Sequence, residues 1–212
     1  MATWIAHMRV AEHFMNAYPE LNSEAFLVGN IGPDCGVPNE DWSSFTPDKN
    51  VTHWLLDGES IYSEDFKQKY IDNAILQPFY LGYYFHLITD IGWSGLYNRK
   101  KQEPLYAAGQ AENKNFIWAI KKDWYGQDHV YLMEHPECVF YTVFAKIDSF
   151  ENKYFDFYPP EAFTRQIKHI TQFYLNAKED AARGFIYLSK GEMNDFVSET
   201  IQTLEKIYKP KQ

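Results

Sequence analysis

The stretch FYLGYYFHLITDIGW, residues 79–93, is apolar and aromatic except for an imidazole and a carboxylate near its middle, His86 and Asp90. On a helix these two lie one turn apart and point the same way. Phe79, Tyr83 and Trp93 share their stripe, so the stripe is a core face. A buried charge is costly unless it finds a partner or a metal ion. Two readings follow: an inert pair in which Asp90 accepts from His86, or a pair of metal ligands. Gly82 sits one turn before His86 on the same side. Glycine costs a helix about 1 kcal/mol relative to alanine, so it is read as leaving room for a close neighbour.

Other residues extend the set. The seven histidines stand at 7, 13, 53, 86, 129, 135 and 169. His7 falls on the apolar face of an N-terminal helix with Val10, Ala11 and Phe14. His13 is about 240° round that helix, on a polar face with Arg9, Asn16 and Glu20, and reads as a solvated surface histidine. His53 is flanked by apolar residues in VTHWL, and Asp34 sits in NIGPDCG, a turn fixed by Pro33 and Gly36. A lone core histidine is more often structural than a ligand. Three histidines with two aspartates, each in an apolar or rigid setting, make a mixed nitrogen and oxygen set suited to zinc and, less selectively, to iron or manganese. The segment DWYGQDHVYLMEHPE offers Asp123, Asp128, His129 and Glu134 as further donors. Helix capping and surface polarity account for Asp128 and His129 at least as well. His169, alone on a helix, reads as structural.

Helices must position these groups. Apolar periodicity predicts them over residues 3–18, 22–31 (capped by Asn22 or Ser23), 59–73, 76–93, 105–120, 124–135 and 192–208. A further long helix starts from YPPEAF, with Pro160 near N1, and runs to about Arg183 and Gly184. Residues 32–58 are broken by proline and glycine but hold Trp42, Phe45 and Trp54, too many aromatics for disorder. With Tyr83 and Trp93 these rings are candidates to wall the site; for Trp54 and Tyr83 a plain core role is favoured. The expected class is all-α, a single domain over residues 1–212, a length sufficient for a full core. A net charge of −9 argues against a broad basic face for nucleic acid. Cys35 and Cys138 form neither a CxxC motif nor a disulfide framework. With no signal-peptide pattern and no apolar run of membrane-spanning length, a cytoplasmic protein is expected.

The ordered series IAHMRVAEHF, NIGPD, VTHW and FYLGYYFHLITDIGW resembles the zinc-dependent phospholipase C family, relatives of the S1/P1 nucleases. The resemblance covers about residues 1–93, and the HxxxD after FYLG is its most specific piece. It implies a multi-helix bundle of the phospholipase C/P1 nuclease type, with His7, Asp34, His53, His86 and Asp90 as metal ligands. It further implies a phosphoester hydrolase holding one or two zinc ions, with manganese or iron as substitutes. In the implied arrangement Asp90 bridges two ions, one also held by Asp34, His53 and His86, the other by His7 and solvent. A metal-bound hydroxide attacks phosphorus, and Asp34 is the candidate catalytic group, as a ligand or by orienting or deprotonating the water. The expected partner is a small-molecule or lipid phosphoester, not a nucleic acid. Two family features are missing. The secreted phospholipases use the amine of an N-terminal Trp as a ligand, whereas Trp4 follows three residues and lies too close to His7 to match it. Their third-zinc set begins with a histidine where this chain has Leu96.

Two other readings compete. An HD-type nucleotide phosphohydrolase expects an adjacent His-Asp pair, whereas this chain has the reverse order, Asp128-His129. A non-catalytic helical binding or scaffold protein would keep a closed structural site with four protein ligands.

Overall fold

The computed structural model describes residues 1–21, 23–41, 43–72, 77–176 and 184–208. Among them the chain is all-α apart from one two-stranded hairpin. Helix α1 (Trp4–Ala17) starts at Thr3, whose side-chain oxygen accepts from the Ala6 N–H and satisfies one of the helix's free donors. Helix α2 (Glu24–Gly29) is capped in the same way by Ser23; the alternative cap, Asn22, lies outside the described residues. The segment expected as a long loop holds a 3₁₀ turn (Gly32–Asp34), the hairpin β1 (Val37–Pro38) and β2 (Phe45–Thr46), and the single-turn helix α3 (Lys49–Thr52). Trp42 lies outside the described residues.

Helix α4 (Ser63–Lys67) continues as a π turn over Gln68–Asp72. It starts later than the expected 59–73 because the Asp57 carboxylate accepts from the Glu59 and Ser60 N–H groups, and Gly58 takes a φ of 79°. That closes a turn where a helix was expected. Residues 73–76 lie outside the description. Helix α5 (Pro78–Lys100) has its proline at the first turn, where no N–H is needed. It runs two turns beyond the expected end at Trp93. Lys100, which lies between the expected helices 76–93 and 105–120, is a buried helical residue paired with Glu103 at 2.8 Å and Glu192 at 2.7 Å.

The expected helices 105–120 and 124–135 are instead α6 (Pro104–Glu112) and α7 (Phe116–Glu134). The break falls at Asn113, whose side chain accepts from the Asn115 N–H. Phe116 then folds back onto Gly109, where a Cβ would meet its ring at 2.2 Å. Helices α8 (Val139–Thr142), α9 (Ala162–Asn176) and α10 (Lys190–Ile207) complete the order. Pro160 is not at N1 of α9. It lies in the preceding turn, where its carbonyl accepts from Asn152 N–H; residues 177–183 lie outside the description. A capping box of Ser189 and Glu192 opens α10.

The first half of α5 is the axis of the core. From Phe79 to Asp90 nearly every side chain is buried, as expected of a helix surrounded by others. Helix α2 lies against it at unusually close range. A Cβ on Gly82 would stand 2.0 Å from the Phe26 carbonyl oxygen, and one on Gly29 2.0 Å from that of Phe79. No residue larger than glycine fits at either position without moving a helix, so the close neighbour foreseen for Gly82 is the α2 backbone. Among the described residues no helix is long and apolar enough to cross a membrane.

Candidate metal centre

The approach of α2 to α5 orients the first candidate ligand, His86. The Asn30 backbone carbonyl, just past the end of α2, accepts from His86 Nδ1 at 2.8 Å, while its side-chain amide donates to the Gly82 carbonyl at 3.3 Å. A carbonyl only accepts, so Nδ1 carries the proton and Nε2 turns its lone pair inward. One turn on, Asp90 stands with Oδ2 3.2 Å from that Nε2. Its other oxygen accepts from the Ala2 N–H at 2.7 Å and lies 3.4 Å from His7 Nε2. The His7 ring, carried by α1, stacks on His86 at 3.8 Å with an interplanar angle of 3°.

His53 enters from the C-terminal end of α3. Its Nδ1 is 3.0 Å from Thr52 Oγ1, and its Nε2 lies 3.4 Å from Asp34 Oδ1 and 3.6 Å from Asp90 Oδ2. Asp34 ends the 3₁₀ turn that Tyr158 holds by donating to the Gly32 and Pro33 carbonyls. Its second oxygen accepts from the Trp4 indole at 3.0 Å. All five residues named from the sequence therefore meet in one place, from four segments of the chain. The same donors fall into two overlapping groups, His7–His86–Asp90 and Asp34–His53–His86, each with its ligand atoms within 4.8 Å of one another.

Both nitrogens of His7, the Nε2 atoms of His53 and His86, and Asp90 Oδ2 are buried without a hydrogen-bond partner. Orphaned buried polar atoms are rare, and four of these, the Nε2 atoms of His7, His53 and His86 with Asp90 Oδ2, face one another and call for a common partner. Their 3.2–3.6 Å separations are loose for hydrogen bonds. They match the roughly 3.3 Å between two ligands each about 2.05 Å from one tetrahedral ion. Imidazole nitrogens with carboxylate oxygens suit zinc, iron or manganese, so the donor set fits a metal. His86 has one nitrogen to give, because Asn30 holds the other. A single ion would draw on both groups, whereas two ions would divide them with His86 on one side.

Burial, then the charge of His86, pushes His7 down to about 4. Burial also opposes a charge on His86, but Asp90 outweighs it and raises that imidazole. Burial works against ionising Asp34 and Asp90 as well. The neighbouring histidines prevail and hold both carboxyls below the usual range. Two carboxylates and a neutral His7 are protonation states that metal binding requires, whereas the metal-free cluster favours a proton on His86 that an ion would have to displace.

The other candidates lie elsewhere. His13 faces out and pairs with Glu205 at 2.9 Å. Asp123 accepts from the Ile186 and Tyr187 N–H groups, and Glu134 pairs with Lys190. Asp128 and His129 are neither caps nor surface groups but buried in the middle of α7. Asp128 accepts from Thr3 Oγ1 at 2.7 Å and Tyr174 OH at 2.5 Å, and His129 packs against the rings of Phe173 and Tyr174. His169 is exposed and sets its ring edge-on to Trp4. Tyr83 is core, stacked on Phe66 and donating to the Thr52 carbonyl. Trp54 packs edge-on against Phe66 and Tyr70, and Trp93 packs against Trp124 and Phe196. An aromatic group that does reach the cluster is Trp4, through Asp34; sequence reasoning set it aside as a match to the family's N-terminal Trp, although it shares a face with His7 one turn on. The contacts of Asn30 and Ala2 run through backbone atoms and leave no trace in residue type. No family model, curated protein or solved structure matches the chain.

Proposed function

We propose that the chain is a metal-dependent phosphoester hydrolase of the zinc phospholipase C/P1 nuclease type, with His7, Asp34, His53, His86 and Asp90 holding one or two divalent ions, zinc first. The observation that carries this reading is the set of buried imidazole and carboxylate atoms that face one another at ligand spacing without hydrogen-bond partners. The motif order of residues 1–93 supports the hydrolase type. When bound, such an ion lowers the pKa of a water and neutralises phosphate oxygens.

The chain's own residues orient this site. The Asn30 carbonyl fixes the His86 tautomer, and the Ala2 N–H fixes the Asp90 carboxylate. The Trp4 indole holds Asp34 Oδ2 and leaves Oδ1 toward His53. Asp34 is the outermost member, its side chain 10% exposed against 0–3% for the other four. It is therefore the side from which a phosphoester meets the cluster. Its carboxyl, held below the usual range, stays ionised at neutral pH. That suits a ligand or a group orienting water better than a strong proton acceptor.

The near-complete burial of the other four ligands favours one competing reading, a closed structural site. Hydrolysis of p-nitrophenyl phosphate and bis(p-nitrophenyl) phosphate by zinc-loaded and chelated protein separates the two. The proposal expects turnover in the loaded protein and none after chelation or in Asp90→Asn. Tight metal binding with no turnover of either ester would favour the structural site.

A further inference from the structure

A cavity of about 400 Å³ opens where α1, α7 and α10 meet. Small-molecule sites run to roughly 300–1,000 Å³, so it has the size of one. Arg9 supplies its α1 wall. This residue follows His7 by two positions, about 200° round the helix, and so points away from the metal centre. Val130 on α7 and Met193 and Val197 on α10 give the cavity an apolar surface.

The charges around this cavity do not cancel. At its rim Lys190 donates to both oxygens of Glu134 at 2.7 Å, and His135 stands 3.3 Å from Glu137. Arg9 is half-buried and has no carboxylate at ion-pair distance among the described residues, although the chain has 29 acidic residues against 20 basic ones. Its guanidinium is nonetheless fixed in place. The central carbon lies 4.3 Å from the middle of the Tyr131 ring, and one nitrogen donates to Asn194 Oδ1 at 2.8 Å. The other side-chain N–H groups meet no acceptor among the described residues. Burial works against the charge, and Asp128 and Glu12 support it only from longer range. A guanidinium held this way, with donors to spare, is suited to a carboxylate. Gln127 adds an acceptor. It is 3% exposed, and its Nε2 donates to the Leu188 carbonyl at 2.9 Å. Its Oε1 accepts nothing among the described residues, yet it is not sealed like the orphaned atoms of the metal centre, so it opens to the cavity that the side chain lines.

We infer that this cavity binds a small organic acid that carries an apolar body and a hydroxyl or amide donor. The carboxylate meets the Arg9 fork, the apolar body lies against Val130, Met193 and Val197, and the donor reaches Gln127 Oε1. The site is separate from the metal centre and does not rest on the hydrolase reading.

The test is a saturation-transfer NMR titration of mandelate at neutral pH into protein as purified and after chelation. Saturable binding of equal affinity is expected in both. Mandelamide, which lacks the charge, and glycolate, which lacks the ring, should each bind at least about tenfold more weakly. Arg9→Ala should weaken mandelate binding about tenfold, the scale of one charge-assisted hydrogen bond. Arg9→Lys keeps the charge without the fork and should weaken it less. Val130→Phe fills the cavity from a half-buried position with Arg9 in place, and it reads out the same site if Arg9→Ala does not fold. It too should weaken binding at least about tenfold. Lys67→Ala, outside the cavity, should change nothing. The inference is overturned if mandelate shows no saturable binding, if mandelamide or glycolate binds equally well, or if folded Arg9→Ala or Val130→Phe binds mandelate like the wild type. Binding that vanishes on chelation and ignores Arg9 would put mandelate on the metal centre and equally overturn it. Metal uptake and ester turnover are read separately, so either site can fail without the other.

Discussion

Gly82→Ala sets helix propensity against packing, and the two disagree in sign. Propensity alone predicts a gain of about 1 kcal/mol, because alanine is the best helix former and Gly82 lies inside α5. The new Cβ, however, would stand 2.0 Å from the Phe26 carbonyl oxygen and 2.9 Å from the Asn30 nitrogen. Both are backbone atoms of the neighbouring segment and cannot swing aside as a side chain can. Overpacking of this kind costs about 1–3 kcal/mol, and contact with rigid backbone puts it at the upper end, for a net loss of about 2 kcal/mol. In a chain of this size that lowers Tm by about 4–8 °C. Because α2 must retreat, the Asn30 carbonyl also leaves His86 Nδ1, and loss of such an orienting partner weakens metal affinity about 10–100-fold. Urea unfolding of chelated protein and competition against a chromogenic chelator measure the two effects. A Gly82→Ala variant as stable as the wild type, with unchanged zinc affinity, would refute the claim that this close helix contact builds the site.

The remaining predictions concern the ligands and buried acids. His86→Ala or Asp90→Ala should abolish metal uptake while His13→Ala leaves it intact; uptake lost in His13→Ala but kept in His7→Ala would reverse the assignment of the α1 faces. Trp4→Phe removes the indole donor from Asp34 and should weaken zinc binding about tenfold in a chelator competition, and unchanged affinity would remove Trp4 from the site. In the metal-free protein burial pushes Asp128 up to about 7, above its unfolded value of 3.8. The stability it contributes is full below pH 3.8 and is lost as pH rises through 7. His7, lowered to about 4 from 6.5, has the opposite slope: its contribution is full above pH 6.5 and is lost as pH falls through 4. Asp128→Asn should therefore gain about 4 kcal/mol relative to the wild type between pH 4 and pH 7. A constant offset in urea unfolding across that range would show that Asp128 is ionised throughout.

Local periodicity carried much of the architecture. The HxxxD spacing on an apolar stripe pointed to the His and Asp cluster, and the 3.6-residue repeat put His7 inside and His13 outside. Gly82 announced a close contact without saying with what. What escaped the sequence depends on partners far along the chain or on backbone atoms. Asp128 looked like a surface cap because its partners, Thr3 and Tyr174, lie far away in sequence. The Asn30 carbonyl and Ala2 N–H have no residue-type signature. The split between α6 and α7 comes from Phe116 folding onto Gly109, a tertiary contact that overrides helix propensity through residues 113–115. The late start of α4 was within reach, since Asp57-Gly58 is a turn signal that the apolar pattern masked.

The most direct test of the central claim is the metal content per chain of protein purified without chelator or a histidine-rich tag, measured by elemental analysis beside His86→Ala and Asp90→Ala. The account predicts one or two equivalents of zinc, iron or manganese in the wild type and none in either variant. A wild type that carries no transition metal and takes none up on soaking would make the five residues an ordinary buried polar cluster and contradict the account.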